Sequence, residues 1–190
     1  MKFTRKRLSF AAILLVLLLG WLWYDHFIED GNFTIVTPHT LYRSGTLSHH
    51  EWKEILRENP PFRSVLNLRG KPHKADDREW YVREESLSEK SGISFYTFGI
   101  SANTKPTLAQ MNEMVEIMRA APKPLLIHCK SGSDRTGLAT ALYLYAIEGK
   151  TAEEAARHLS IRFGHFPWLT SHTGAMDAAF AEYVAAHPQR

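Results

Sequence analysis

The sequence predicts an α/β fold in which a central, mainly parallel β-sheet is flanked by helices and preceded by one N-terminal membrane helix. Short runs rich in leucine and β-branched residues, as at 62–70 and 124–129, predict buried strands. These runs alternate with helical segments, three of which open on capping boxes at Ser48, Thr107 and Thr151. Strands that alternate with helices in this way pair in parallel, with helices on both faces of the sheet.

Each predicted element has a local signal. One or two short strands are predicted within 33–45, and one strand each at 62–70, 93–100 and 124–129. Helices are predicted from Ser48 to Asn59, within the charged segment 71–90, from Thr107 to about Ala120, over 138–149, after Thr151 and over about 173–186. Prolines follow the first and third of these helices, where they prevent the helix from continuing.

The N-terminus divides into three short segments before the folded domain. Residues 1–7 contain four basic side chains, and residues 8–24 form an uncharged run of 17 that ends in aromatic residues. Such a run is at the short end of a membrane span, and aromatic residues favour the membrane interface. We therefore predict a cytoplasmic basic segment (1–7), an anchor (8–24), a linker (25–31) and one domain (32–190), with a cleaved signal sequence as the alternative for 8–24.

Charge sets the expected location and excludes one class of partner. The four N-terminal basic residues hold that end in the cytoplasm, so the domain is expected in the periplasm on the inner membrane, or free in the periplasm if the segment is cleaved. The net charge of the chain is +3, but without these four residues 19 Lys+Arg face 20 Asp+Glu. A nearly neutral domain does not predict nucleic-acid binding.

The loop HCKSGSDRTG, at 128–137, holds the only cysteine of the chain between a predicted strand and a predicted helix. Unpaired backbone N–H groups and the helix dipole favour an anion at such a place, either a thiolate or a bound phosphate. Arg135 has the planar fork that binds phosphate with two hydrogen bonds, and Gly132 permits the sharp bend of a backbone cradle. The pattern predicts nucleophilic attack on phosphorus by Cys129.

The motif HCKSGSDRT resembles the His-Cys-x5-Arg-Thr signature of the cysteine-dependent protein tyrosine and dual-specificity phosphatases. LYRSGTLS at 41–48 and VLNLRG at 65–70 occur in the order expected for small bacterial members, and the resemblance covers roughly 40–165. It implies Cys129 as the nucleophile, Arg135 as the phosphate binder and the amides from Lys130 to Arg135 as the cradle. The substrate-binding residues on that reading are Lys130, Ser131, Gly132 and Ser133.

Two neighbours of the cysteine have supporting roles in this interpretation. His128 is expected to orient the loop through hydrogen bonds, and Thr136 to hydrogen-bond the sulfur and help it leave. Lys130 adds positive charge beside the nucleophile or is simply solvated.

The general acid departs from the family pattern. The family places an aspartate on a loop upstream of the cysteine, but the corresponding loop here, FGISANTKPT at 98–107, contains no acidic residue. The loop aspartate Asp134 directly precedes the arginine, as in myotubularin-like enzymes that accept phosphoinositides. Asp134 is therefore the candidate proton donor, with Asp76 or Asp77 as lesser candidates, and a pairing role with Arg135 as the alternative.

Several other residues receive a structural interpretation. Arg69 and Lys71 follow a strand end and are interpreted as surface residues, with the mouth of the site as the alternative. The aromatic segment 162–168 is expected in the core or as a pocket wall. His165 and His172 lack the spacing of zinc ligands, and neither a metal nor a cofactor is expected.

Three classes of function compete. The first is a phosphatase acting on periplasmic phosphoproteins (phosphotyrosine, phosphoserine or phosphothreonine) or on the phosphorylated head groups of envelope lipids, such as phosphoinositide-like or lipid A phosphates. The second is a sulfur-transfer domain of the rhodanese kind, which the His-Cys and Arg-Thr flanks disfavour. The third is a phosphate-binding module with little turnover, suggested by the missing upstream aspartate.

Overall fold

The computed structural model describes residues 2–24, 31–58, 62–72, 78–168 and 172–189. Within these ranges one sheet has the strand order β1-β2-β5-β3-β4. The strands are β1 (Thr34–Thr37), β2 (Leu41–Ser44), β3 (Ser64–Asn67), β4 (Ser94–Thr97) and β5 (Leu125–His128). All neighbours pair in parallel except β1 and β2, so the predicted, mainly parallel sheet is confirmed with one antiparallel edge strand.

One helix precedes the sheet in the chain, and the later helices pack around the sheet and follow the predicted signals closely. They are α1 (Lys2–Tyr24), α2 (His49–Glu58), α3 (Arg78–Lys90), α4 (Leu108–Ala120), α5 (Asp134–Ala146), α6 (Ala152–Ala156) and α7 (Gly174–Ala186). Complete capping boxes at Thr107 and Thr151 start α4 and α6 as predicted. Helix α5 begins at Asp134, four residues before the predicted start, because the cysteine loop turns directly into it.

The two faces of the sheet bury two separate apolar clusters. Along β5, Leu125 and Ile127 join the larger cluster with α4, α5 and α7, whereas Leu126 joins the smaller cluster with Trp52 and Phe62. This alternation is the period of two that a strand imposes on its side chains. Every residue of β2, β3 and β5 is buried, so these strands fix the position of whatever follows them.

The N-terminal segment forms helix α1, with exposed apolar side chains such as Leu14, Leu18 and Trp21. No helix within the described residues is both long enough and apolar enough to cross a membrane. The membrane span predicted for 8–24 is therefore not confirmed. Asp76 and Asp77, the lesser candidates for the general acid, lie outside the described residues.

Candidate active site

The cysteine loop leaves the sheet at its centre, at the carboxyl ends of the parallel strands. His128 pairs with Ser44 of β2 on one side and with Asn67 of β3 on the other. Cys129 follows directly and is 1% exposed. Its carbonyl oxygen accepts a hydrogen bond of 3.0 Å from Oγ1 of Thr46. Cys129 therefore lies at the edge of the sheet from which the segments that follow β2 and β3 also leave.

Gly132 gives the loop its bend. Its φ of +77° lies in the left-handed region, and a Cβ there would stand 2.7 Å from the backbone of Ser44 and Gly45. Any other residue would combine an unfavourable φ with a steric clash, so glycine is required at this position. The amide of Asn32 ties the same loop down, donating to the carbonyl oxygens of Ser131 (3.0 Å) and Phe163 (3.1 Å).

Arg135 reaches back from the first turn of α5 over the ends of β3 and β4. Its Nη1 donates to the carbonyl oxygens of Leu68 and Ile100, both at 3.3 Å. Its Nε is buried and has no hydrogen-bond partner within the described part of the chain. The guanidinium is thus held in place by backbone carbonyls, with a donor left over for a bound anion.

Two glycines let those carbonyls come together. A Cβ on Gly70 would lie 2.9 Å from the Cα of Gly99, and one on Gly99 would lie 2.8 Å from the Cα of Gly70. The backbone segments after β3 and β4 therefore touch without a side chain between them. This contact places the Leu68 and Ile100 carbonyls within reach of one guanidinium.

A cleft of about 610 Å³ opens above this arrangement, and we call it the basic cleft. Four cations and no carboxylate occur among its described lining residues, which are Arg69, Gly70, Lys71, Pro72, Trp80, Thr97, Gly99, Ile100, Lys130 and Arg135. The guanidinium of Arg69 stacks 3.4 Å above the Trp80 ring and donates to Oγ1 of Thr46 (2.9 Å). The cleft attracts anions over its whole length.

Lys71 is exposed and Arg69 is half-buried, as expected of surface residues, and both also line the basic cleft, as the alternative interpretation placed them. The segment that carries them starts at the carboxyl end of β3, the strand next to the cysteine strand. The sequence signal for this location is a pair of charged residues directly after a central parallel strand, since ligand sites of such sheets form at the carboxyl ends of the strands.

Asp134 points away from the basic cleft and toward a buried histidine. Its Oδ1 lies 2.7 Å from Nδ1 of His165, and Nε2 of His165 lies 2.8 Å from Oδ2 of Asp177. His165 is fully buried. Burial alone would lower the pKa of His165, but the hydrogen bonds and negative charges of the two aspartates outweigh it, so the pKa is raised. The imidazolium form donates to both carboxylates.

This buried trio predicts a pH-dependent stability. Because the folded state raises the pKa of His165, its contribution is complete below the unfolded value of 6.5 and is lost as pH rises through the folded value. We expect His165→Asn to lower the unfolding free energy by about 3 kcal/mol at pH 6 and by less at pH 9. Urea unfolding at both values measures the difference, with exposed His50→Asn as control. An equal loss at both pH values would contradict the charged pairing.

His128 and Thr136 contact the backbone around the cysteine. Nδ1 of His128 lies 3.3 Å from the Cys129 carbonyl oxygen, and Nε2 lies 3.1 Å from Oε2 of buried Glu84 on α3. Thr136 donates through Oγ1 to the carbonyl of Ser44 at 3.4 Å, a partner other than the predicted sulfur. Sequence reasoning missed Glu84, although Tyr81, Glu84 and Ser88 have the spacing of one buried helix face.

These features together define a class of protein. A lone cysteine stands between a buried central strand and a helix, and an arginine six positions later is fixed by backbone carbonyls at the edge of a basic cleft. This arrangement resembles that of the cysteine-dependent phosphatases of the tyrosine and dual-specificity type, and solved structures of that type share the fold. The sequence model of the tyrosine phosphatase family matches residues 28–156, so the chain belongs to this family.

Individual relatives agree with this assignment. Inositol diphosphatase DSP1 of Oryza sativa subsp. japonica is 33% identical over 113 residues, which are 56% of this chain and 46% of that protein. The chain thus matches less than half the length of that relative.

Solved structures show the same fold. The catalytic domain of the PP-IP phosphatase SIW14 from S. cerevisiae is 22% identical, with a TM-score of 0.61 over 80% of this chain and 85% of that one. TpbA of P. aeruginosa is also 22% identical, with a TM-score of 0.61 over 81% and 86%. A variant of TpbA has been solved in complex with pTyr.

Proposed function

We propose that this enzyme removes phosphate from a small molecule that carries several phosphates, and that it cleaves a diphosphate group best. The observation behind this proposal is the basic cleft, with four cations and no carboxylate among its described lining residues. One bound phosphate needs Arg135 and the loop amides. The remaining cations, Arg69, Lys71 and Lys130, suit further phosphates on the same substrate.

In the proposed reaction the sulfur of Cys129 attacks phosphorus. An S–P bond forms as the bond from phosphorus to the leaving oxygen breaks, and the leaving group departs with the electron pair. The loop amides and Arg135 stabilise the charge on the three remaining oxygens. Water then attacks the phosphocysteine, which releases inorganic phosphate and restores the thiolate.

The leaving group explains the preference for a diphosphate. An alkoxide leaving from an ester is strongly basic and needs a proton from a general acid, whereas a phosphate leaving from a diphosphate is a weak base and needs little assistance. The described lining of the basic cleft offers no carboxyl proton donor, and Asp134 is held by His165. We retain Asp134 as the proposed acid for esters only, a role that requires its carboxyl to carry a proton and to turn from His165 toward the leaving oxygen. The name of the rice relative, an inositol diphosphatase, supports the same substrate class.

Phosphotyrosine in a protein is the second candidate substrate. The ring of Trp80 forms part of the cleft wall, where an aromatic phosphate ester can pack, and the fold is shared with a protein solved in complex with pTyr. If the domain faces the periplasm, as the basic N-terminus and the uncharged run 8–24 suggest, envelope phosphoproteins and phosphorylated lipid head groups become accessible.

A substrate panel on the full-length chain tests the proposal. We expect kcat/KM to be highest for a diphosphoinositol polyphosphate, compared with the matching compound lacking the diphosphate, a phosphotyrosine peptide and a phosphoinositide vesicle. Lys71→Ala should lower kcat/KM for the diphosphate about tenfold by raising KM, because it removes one phosphate contact. Lys90→Ala, an exposed lysine at the end of α3, is the matched control. Asp134→Asn should leave diphosphate turnover within about twofold and impair ester hydrolysis.

A different ranking would contradict the proposal. If the phosphotyrosine peptide is the best substrate and Lys71→Ala does not change its turnover, the basic cleft does not select several phosphates. If the vesicle is best, the substrate is a lipid.

A further inference from the structure

A buried arginine on a strand lies directly beneath the cysteine loop. Arg43 of β2 is fully buried, and its Nη2 donates to the carbonyl oxygen of Gly132 at 2.5 Å and to that of Ser133 at 3.5 Å. Its Nη1 donates to the carbonyl oxygen of His158 (3.0 Å) and lies 3.1 Å from that residue's Nδ1. The guanidinium stacks 3.8 Å from the centre of the Phe163 ring. Five contacts thus fix its plane.

Among the described residues, no carboxylate pairs with the charge of this arginine. Its hydrogen-bond partners among the described residues are carbonyl oxygens and a histidine nitrogen, with no carboxylate. Burial lowers the pKa of Arg43 to about 9, and the negative charge of Cys129 acts in the opposite direction. Arg43 therefore stays protonated at neutral pH and attracts an ionised cysteine.

The histidine partner is neutral. Burial, followed by the positive charges of Arg43 and Arg162, lowers the pKa of His158 to about 4. Its Nδ1 can then accept the hydrogen bond from Arg43. The histidine holds the guanidinium without neutralising its charge.

The contacts to the loop have a directional consequence. In a trans peptide the C=O and N–H groups point to opposite sides. A guanidinium that holds the carbonyls of Gly132 and Ser133 on one side turns the amide N–H groups of Ser133 and Asp134 to the other side. Those amides belong to the cradle that the sequence predicts for phosphate.

We propose that Arg43 is a positioning residue for catalysis: it orients the amides of the phosphate-binding loop and holds a buried positive charge directly beneath that loop. Arg43 does not line the basic cleft and acts through the loop alone. The inference rests on the proposed role of Cys129 as the nucleophile. It requires no particular substrate.

Two measurements on the full-length chain test this role without turnover. Cys129 is the only cysteine, so the rate of iodoacetamide labelling at pH 6.5 reports the reactivity of this one thiol in its loop. Vanadate affinity reports the cradle. We expect Arg43→Met to lower each by about tenfold or more, the effect of one lost charge-assisted contact beneath the loop. Arg162→Met is the matched control, because this exposed arginine faces the same Phe163 ring at 5.4 Å.

A lysine variant separates charge from geometry. Arg43→Lys should restore the labelling rate, since it keeps the charge, but not the vanadate affinity, since one ammonium cannot reproduce the fork that spans the loop and His158. Folding of each variant is checked by thermal unfolding followed by circular dichroism. If Arg43→Met does not fold, Arg43→Lys alone decides through vanadate affinity.

Failure of the Arg43 inference can be distinguished from failure of the proposed role of Cys129. A folded Arg43→Met protein with wild-type labelling and wild-type vanadate affinity overturns the inference, as does unchanged vanadate affinity in Arg43→Lys. Slow labelling of the wild-type protein at pH 6.5, at the rate of a free thiol, would instead overturn Cys129 as an activated nucleophile.

Discussion

Cys129→Ser is expected to reduce phosphate release from p-nitrophenyl phosphate and from the best substrate of the panel to the uncatalysed background. A serine hydroxyl at this buried position stays protonated, and the described site offers no adjacent base to activate it, since His128 faces Glu84 and the Cys129 carbonyl. Removing an essential nucleophile costs on the order of 10⁶ in kcat in a well-studied hydrolase. Phosphate release under single-turnover and steady-state conditions measures the loss.

Phosphate binding shows whether Cys129→Ser has lost only the nucleophile or also the folded site. The loop amides and Arg135 are unchanged, so Cys129→Ser should keep its thermal unfolding midpoint and still bind inorganic phosphate. Residual turnover well above background would show that another group attacks phosphorus. A wild-type protein without turnover that binds phosphate would support the phosphate-binding module instead.

Arg135→Lys is expected to lower kcat/KM by about 10² to 10³, the loss found when one donor to a transition-state oxyanion is removed. The arginine donates to the carbonyls of Leu68 and Ile100 through one nitrogen, and its Nε has no partner within the described residues, which leaves a donor for the proposed phosphate. A lysine ammonium cannot hold both carbonyls and also present a planar fork to phosphate.

The loss should appear in kcat as well as in KM, because the arginine binds the transition state more tightly than the ground state. Arg119→Lys on the exposed face of α4 is the matched control. A change in KM alone would show that Arg135 contributes only to binding of the substrate and not to stabilisation of the transition state.

The elements that depend on local sequence could be predicted. The alternation of apolar runs and capping boxes predicted β3, β4, β5 and α4 close to their observed bounds, because strand burial and helix capping are set within a few residues. The cysteine loop could be placed for the same reason, since it directly joins two such elements.

The parts of the site that depend on distant residues could not be predicted. Arg43 and Gly132 are 89 positions apart, and His165 and Asp134 are 31 apart. Pairing at such distances follows from strand order and loop packing, and one sequence does not give either. Arg43 in particular occupies a strand whose residues are all buried, a place where a charged side chain is rare.

The contact between Gly70 and Gly99 has a consequence for how substrate range can change. Because these two glycines meet backbone to backbone, the carbonyls that fix Arg135 do not depend on any cleft side chain. We therefore expect that Lys71, Trp80 and Lys130 can be exchanged, in nature or by design, while Arg135, the proposed phosphate binder, keeps its orientation. The backbone contact that fixes Arg135 is thus separate from the cleft side chains that are proposed to select the substrate. New specificities should arise through the second without loss of the first.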